Sequence, residues 1–99
     1  MNLVEWRNWW RRSGEKQLRH LLRSNWDPFE DPGFEAETEP RLVDLGRRLH
    51  EGAGVVDVRV FLSDLRRTRW PERHGRKWMS RDRRVAERLV VWYHETTRE

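Results

Sequence analysis

The sequence predicts an all-α fold: a compact four- or five-helix domain, orthogonal or bundle-like, with a long acidic loop over about residues 26–39. Three observations carry this. Apolar residues recur at helical spacing in one stretch after another, and Ser, Pro and Gly divide those stretches at helix-like lengths. The single segment that also fits a strand has no second strand to pair with. Ninety-nine residues make one domain over 1–99, with a Trp/Arg-rich N-terminal helix over 3–12 and a helical core over 15–93.

The elements follow in order. Leu3, Trp6 and Trp10 share a helical stripe with Trp9 beside them, which places a short helix over about 3–12. Ser13-Gly14 interrupts it, and Ser13 can cap a second helix with Glu15 in its first turn. Leu18, Leu21, Leu22 and Asn25 form the buried stripe of that helix; because Gly14 need not break the chain, one bent helix over 3–25 is the alternative. From Trp26 to Glu39 the periodicity vanishes. Trp26-Asp27-Pro28-Phe29 and Asp31-Pro32-Gly33-Phe34 read as turns, pinned to the helices by Trp26, Phe29 and Phe34. Pro40 suits a first helical position after Thr38 or Glu39 as cap; Leu42, Leu45, Gly46 and Leu49 then mark one face, and Gly52 ends the helix.

Residues 55–69 fit two periods. Val56, Val58, Val60 and Leu62 alternate as in a strand, while Val55, Val58, Phe61, Leu62 and Leu65 recur as in a helix. The missing partner strand selects the helix, which Trp70-Pro71 ends. A basic loop over 71–79 precedes a last helix capped by Ser80, with Asp82 in its first turn and Val85, Ala86, Leu89, Trp92 and Tyr93 on its apolar face. The expected core is Leu18, Leu22, Leu45, Leu49, Leu62, Leu65, Leu89 and Trp92.

Composition narrows the function classes. Apolar residues make up 35% and charged residues 38%, so the core is thin, and seven Trp offset this. Each indole can bury about 150–250 Å². The absence of Cys excludes a disulfide framework, a thiol nucleophile and Cys-containing zinc sites. No apolar run approaches the roughly 18 residues needed to cross a bilayer. Glu5, Arg7, Arg11 and Arg12 break the apolar stretch a signal peptide needs, so a cytoplasmic protein without membrane contact is expected.

The net charge of +4 is unevenly spread. Residues 1–26 carry six Lys/Arg against two acids, residues 27–39 six acids and no base, and residues 66–88 ten bases against three acids. Two basic segments thus flank an acidic one, and partial neutralisation within the fold is the simplest expectation. All the bases but Lys16 and Lys77 are Arg, the residue suited to bidentate anion recognition and aromatic stacking.

Catalytic signatures are absent. The four His are scattered, and neither His20 nor His50 has a His, Asp or Glu ligand partner three or four residues away. Ser13, Ser24, Ser63 and Ser80 occupy no G-x-S-x-G elbow, and Gly52-Ala53-Gly54 is too short for a phosphate loop. The clustered acids Asp27, Glu30, Asp31, Glu35, Glu37 and Glu39 sit in a segment read as hydrated, which rarely provides the desolvated carboxyl of shifted pKa that acid–base catalysis needs. No enzyme, cofactor or metal is expected.

Two segments mix Arg with Trp. Arg66, Arg67, Arg69, Arg73, Arg76, Lys77, Arg81, Arg83 and Arg84 bracket Trp70 and Trp78, and the N-terminal helix offers Trp6, Arg7, Trp9, Trp10, Arg11 and Arg12. Trp and Arg dominate interface hot spots. The candidate partner-binding residues are therefore Trp6, Trp9, Arg12, Arg66, Arg67, Arg69, Trp70, Arg73, Arg76, Lys77 and Trp78, with Trp9 the first candidate for an exposed ring. A non-enzymatic protein-interaction module is the leading expectation. The alternative is nucleic-acid binding through residues 66–84, where rings stack on bases and guanidinium groups hold phosphates.

The Leu-rich stretch 18–22, Trp26-Asp27-Pro28, the acidic segment and three later segments ending in Trp92-Tyr93 resemble a family of small uncharacterised bacterial helical proteins with a Trp-Asp-Pro-Ile-Gly turn. The likeness covers about residues 15–93; Phe29-Glu30 stands where that turn has Ile-Gly, and Thr38-Glu39-Pro40 replaces its Glu-Tyr stretch. The resemblance implies a compact helical bundle and no activity. By fold-level analogy it suggests a partner role of adaptor, immunity or antitoxin type.

Overall fold

Trp6, Trp10, Gly14, Leu18 and Leu22 are all buried, a strict period of four. An α-helix repeats every 3.6 residues, so each step of four overshoots by about 40°, and four steps would turn Leu22 about 160° away from Trp6. The structure, a computed structural model describing residues 1–98, shows how the chain avoids this. Helix α1 (Leu3–Trp9) passes through a π-helical turn, Trp10–Gly14, into α2 (Glu15–Asn25) with right-handed helical angles at every junction. The extra residue of a π turn takes back about 100°, so the five positions return to one face. The single helix over 3–25 is the form taken, and the expected break at Ser13 with its cap does not occur. Leu3 is corrected as well: it lies 45% exposed, outside the Trp6–Trp10 stripe. Asn2 caps the rod, its Oδ1 accepting the Glu5 N–H at 2.8 Å.

The expected long acidic loop is the main correction. Only a 3₁₀ turn, Asp27–Glu30, and Asp31 separate Trp26 from α3, which runs Pro32–His50 rather than starting at Pro40. Asp31 Oδ1 accepts the N–H groups of Gly33 at 2.9 Å and Phe34 at 3.3 Å, while Pro32 takes the first helical position. The buried stripe then reads Phe34, Thr38, Leu42, Leu45 and Leu49, with Thr38 filling the gap between apolar positions. Pro40 sits inside α3, and removes the donor for the Ala36 carbonyl; both residues are exposed, so water can replace it. Gly52, at φ +96°, ends α3 with the Ala53 N–H donating to Arg48 O at 2.9 Å, a Schellman turn.

Helix α4 (Val55–Arg69) confirms the helical reading of this segment, and ends at Trp70. Asp57 accepts the Gly54 N–H at 3.2 Å at its start. Helix α5 (Arg76–Thr97) begins after Gly75 (φ +102°), so Ser80 is not its cap and the basic loop over 71–79 shrinks to residues 70–75. The cause is packing. Asp82, Val85, Ala86, Leu89 and Tyr93 are buried along one stripe, and half-buried Trp78 extends it one turn back.

Six of the eight expected core residues are buried, while Leu65 and Trp92 pack only partly buried against the core edge. Trp6, Trp10, Trp26, Phe61, Val58 and Tyr93 fill the interior beside them. Tyr93 places its hydroxyl 3.0 Å from His50 Nδ1, and burial pushes the phenol pKa up to about 12. Trp9 is half-buried, tilted against Trp92 at 6.0 Å and edge-on to Tyr93 at 5.9 Å, and so does not present a free ring.

Candidate functional site

Where α4 and α5 meet the 27–30 turn, three segments converge on two carboxylates. Asp82, wholly buried on α5, accepts the Trp26 Nε1–H at 2.9 Å, the Ser63 hydroxyl at 2.9 Å and Arg66 Nη2–H at 2.7 Å. Arg66, also wholly buried, turns its other edge to Asp27 with hydrogen bonds of 2.9 and 3.1 Å. Burial works against the Arg66 charge, but hydrogen bonds and charges of Asp27 and Asp82 outweigh it and raise its pKa. Burial likewise pushes the Asp27 carboxyl up, yet the Arg66 hydrogen bonds and charge overcome it and hold Asp27 below its ordinary value.

The acidic segment spends its charge on a defined set of Arg. Asp27 takes Arg66 and, at 4.0 Å, Arg81; Asp31 and Glu37 take Arg69 at 3.9 and 3.6 Å; Glu39 takes Arg19 at 3.1 Å. Glu35 makes a two-pronged pair with Arg23, whose hydrogen bond keeps the Glu35 pKa low against burial. By contrast Arg59, Arg67, Arg73, Arg76 and Lys77 have no carboxylate within ion-pair distance among the described residues. Helical geometry makes this separation. Positions 62, 66 and 69 of α4 turn toward the core and α3, while Arg59, Ser63 and Arg67 run at i, i+4 spacing along a face that lines a cleft.

That cleft has a volume of about 470 Å³ and lies between α4, the 73–75 turn and the first turn of α5. Arg59, Arg67, Arg73 and His74 bring positive or protonatable groups to it, Asp64 adds one carboxylate, and Val60, Trp78 and Met79 give it apolar walls. His74 Nδ1 donates to the Pro71 carbonyl at 2.7 Å, which fixes its ring. The neighbouring indoles are already covered by cations. Trp78 has Arg81 at 4.7 Å, Arg66 at 4.8 Å, Lys77 at 5.3 Å and Arg73 at 5.7 Å from its ring centroid; Trp70 has Arg73 at 4.8 Å and Phe34 at 5.0 Å. Both rings orient guanidinium groups, and Trp78 keeps in addition the surface that lines the cleft.

The sequence-predicted site residues divide accordingly. Arg67, Arg73 and Trp78 line the cleft, with Arg76 and Lys77 exposed at the start of α5 and half-buried Trp70 under Arg73. Arg69 is exposed but committed to Asp31 and Glu37. Trp6 and Arg66 are corrections: both are interior, Trp6 stacked between Trp10 at 5.4 Å and His50 at 5.6 Å, and neither can touch a partner. Trp9 and Arg12 line no part of the cleft. Arg59, Val60, Ser63, His74 and Met79 were missed, although the i, i+4 repeat of Arg59, Ser63 and Arg67 is visible in the sequence.

Ser63, His74 and Asp82 share the cleft without forming a catalytic relay. A base must stand between nucleophile and acid. Here Ser63 donates directly to Asp82, whose charge is matched by Arg66, and no hydrogen bond joins His74 to Ser63. No group of three His, Asp or Glu suited to a metal occurs among the described residues, and no described helix is long and apolar enough to cross a membrane. What the arrangement offers chemically is anion recognition by oriented guanidinium groups. No protein-family model, no curated protein and no solved structure matches this chain.

Proposed function

We propose that this chain is a cytoplasmic, non-enzymatic interaction module that binds an acidic protein surface through the α4–α5 cleft. One observation carries the reading: the acids of residues 27–39 pair with Arg19, Arg23, Arg66, Arg69 and Arg81, and of the bases without a carboxylate partner among the described residues, Arg59, Arg67, Arg73, Arg76 and Lys77 gather at and beside one cleft. Oriented, unpaired guanidinium groups favour a carboxylate-bearing surface and speed encounter with it. The guanidinium groups already seated on Trp70 and Trp78 compete with bases for those rings, which favours protein over single-stranded nucleic acid.

The test compares the tagged chain with an Arg67→Glu/Lys77→Glu variant, both changes being at exposed positions. Retention of protein partners should drop at least about tenfold in the variant and weaken as salt rises from about 50 to 300 mM. Nuclease treatment should leave it unchanged. Retention that vanishes with nuclease would replace this reading with nucleic-acid binding, and retention indifferent to both charge reversals would move the interface off the cleft.

A further inference from the structure

We infer that the α4–α5 cleft accepts a specific kind of acidic segment, one that sets an aliphatic or aromatic side chain between carboxylates. This rests on the protein-binding reading above and extends it to what the partner presents. The cleft volume of about 470 Å³ suits a seated side chain rather than a flat electrostatic contact. It falls within the roughly 300–1,000 Å³ of ligand pockets. Val60 of α4 and Met79 of α5 are 40% and 45% exposed, and both open into it beside Trp78. Two large apolar side chains from different helices, left in water at one cleft, gain when an apolar group covers them. Met adapts its shape to such a group.

The cations stand around the same space. Arg59, Arg67 and Arg73 line the cleft against Asp64, the one carboxylate there outside the Arg66 pairs, so the lining keeps a positive surplus. A purely apolar segment would cover these guanidinium groups and leave them without counter-ions, at a desolvation cost. A purely anionic chain would satisfy them and leave Val60 and Met79 wet. A segment with both features satisfies walls and rim together, as central apolar anchors with a charged rim do at interfaces generally.

A display library of random short peptides, panned against the folded full chain, tests this directly. Selected peptides should carry Asp or Glu flanking Leu, Ile, Met, Phe or Trp. Their affinity should fall at least about tenfold in Val60→Asp, in Met79→Asp and in Arg67→Glu. All three positions are exposed, so the core is untouched; unchanged circular dichroism checks this, and Val60→Ser serves if an Asp variant unfolds. Acid-rich peptides without an apolar position, bound equally by Val60→Asp and Met79→Asp, would overturn the anchor and leave the acidic-partner reading standing. Peptides lacking acids, or no enrichment at all, would overturn both. Self-association of the free chain that Arg67→Glu abolishes would assign the cleft to a second copy instead.

Discussion

Trp10 and Trp26 are both buried indoles, one within the first helical rod and one at its end, yet different forces hold them. Trp10 stacks on Trp6 at 5.4 Å and lies directly over Gly46 of α3, where a Cβ would overlap its ring. Its neighbours are rings: Trp6 on one side, itself stacked on His50 at 5.6 Å, and Trp9 on the other at 6.4 Å. Trp26 instead donates to Asp82, with Arg66 6.0 Å from its ring centroid and Phe29 and Phe34 at 5.4 and 5.7 Å. The first cluster is a matter of shape, and any added volume disturbs it. The second is a matter of charge balance: it tolerates replacement of the whole ion set better than loss of one member.

The sharpest way to break that contrast is Asp82→Leu. Removing the carboxylate leaves Arg66 buried with only half-exposed Asp27, and the expected loss is about 3–5 kcal/mol. In a domain whose total stability is of order 5–15 kcal/mol, urea titration will show this as a large fall in midpoint. Asp82→Leu combined with Arg66→Met should recover most of the loss. A double variant no more stable than the single one would assign the loss to the hydrogen bonds Asp82 accepts from Trp26 and Ser63 rather than to an unpaired Arg66 charge.

Gly46→Val probes the other cluster and should cost about 1–3 kcal/mol by overpacking against Trp10. Gly14→Ala should be close to neutral. Its Cβ would come within 2.7 Å of Trp9 Cζ3, but that ring lies half-buried at the core edge against Trp92 and Tyr93 and yields more readily than the interior ring of Trp10, and Ala gains up to about 1 kcal/mol of helix propensity. Equal thermal shifts for the two variants would erase the distinction between a fixed and a movable ring.

The smallest expected effect is on the pH dependence. Asp27 and Glu35 both have pKa values lowered by their Arg partners. A carboxyl lowered in the folded state contributes stability above its unfolded pKa and loses it as pH falls through the folded value. Denaturation midpoints should therefore drop on acidification below about pH 4. Asp27→Asn should flatten that drop more than Glu35→Gln, because Asp27 faces a buried guanidinium and the Glu35 pair is solvated. The reverse order would place the acid-sensitive charge outside the Trp26 cluster.

Much of the fold was legible because its helices announce themselves by period. The helix over 55–69 emerged from the absence of a strand partner, and Gly52 and Trp70-Pro71 marked real ends. The misplaced starts share one cause: a polar residue in a buried stripe. Thr38 sits between Phe34 and Leu42 and interrupts the apolar pattern of α3, which places the expected start eight residues late, although Asp31-Pro32 is a good cap and first-turn pair. Asp82 and Arg66 occupy core positions of α5 and α4 at helical spacing from Val85 and Leu62, and charge alone gave no sign that they meet. The cleft was half legible for the same reason. Its basic residues stood out by composition, but which guanidinium groups remain unpaired depends on where α3 carries its acids.

Helix α5 closes both clusters, and this sets an order of events in the life of the chain. Asp82 bonds Trp26 across 56 residues, Tyr93 meets His50 across 43, and Trp92 Nε1 donates to Gln17 across 75. The helices themselves need only local contacts and can form early, but the complete sites for their indoles cannot. The rod can pack its indoles on α3 through His50, Gly46 and Phe34, but until residues 82–93 dock, Trp26 lacks its Asp82 acceptor and His50 its Tyr93 partner. A form with α5 undocked exposes the apolar surface that favours misassociation. Once α5 docks, one event completes both clusters, so the domain should unfold as a single cooperative unit rather than fray from either end.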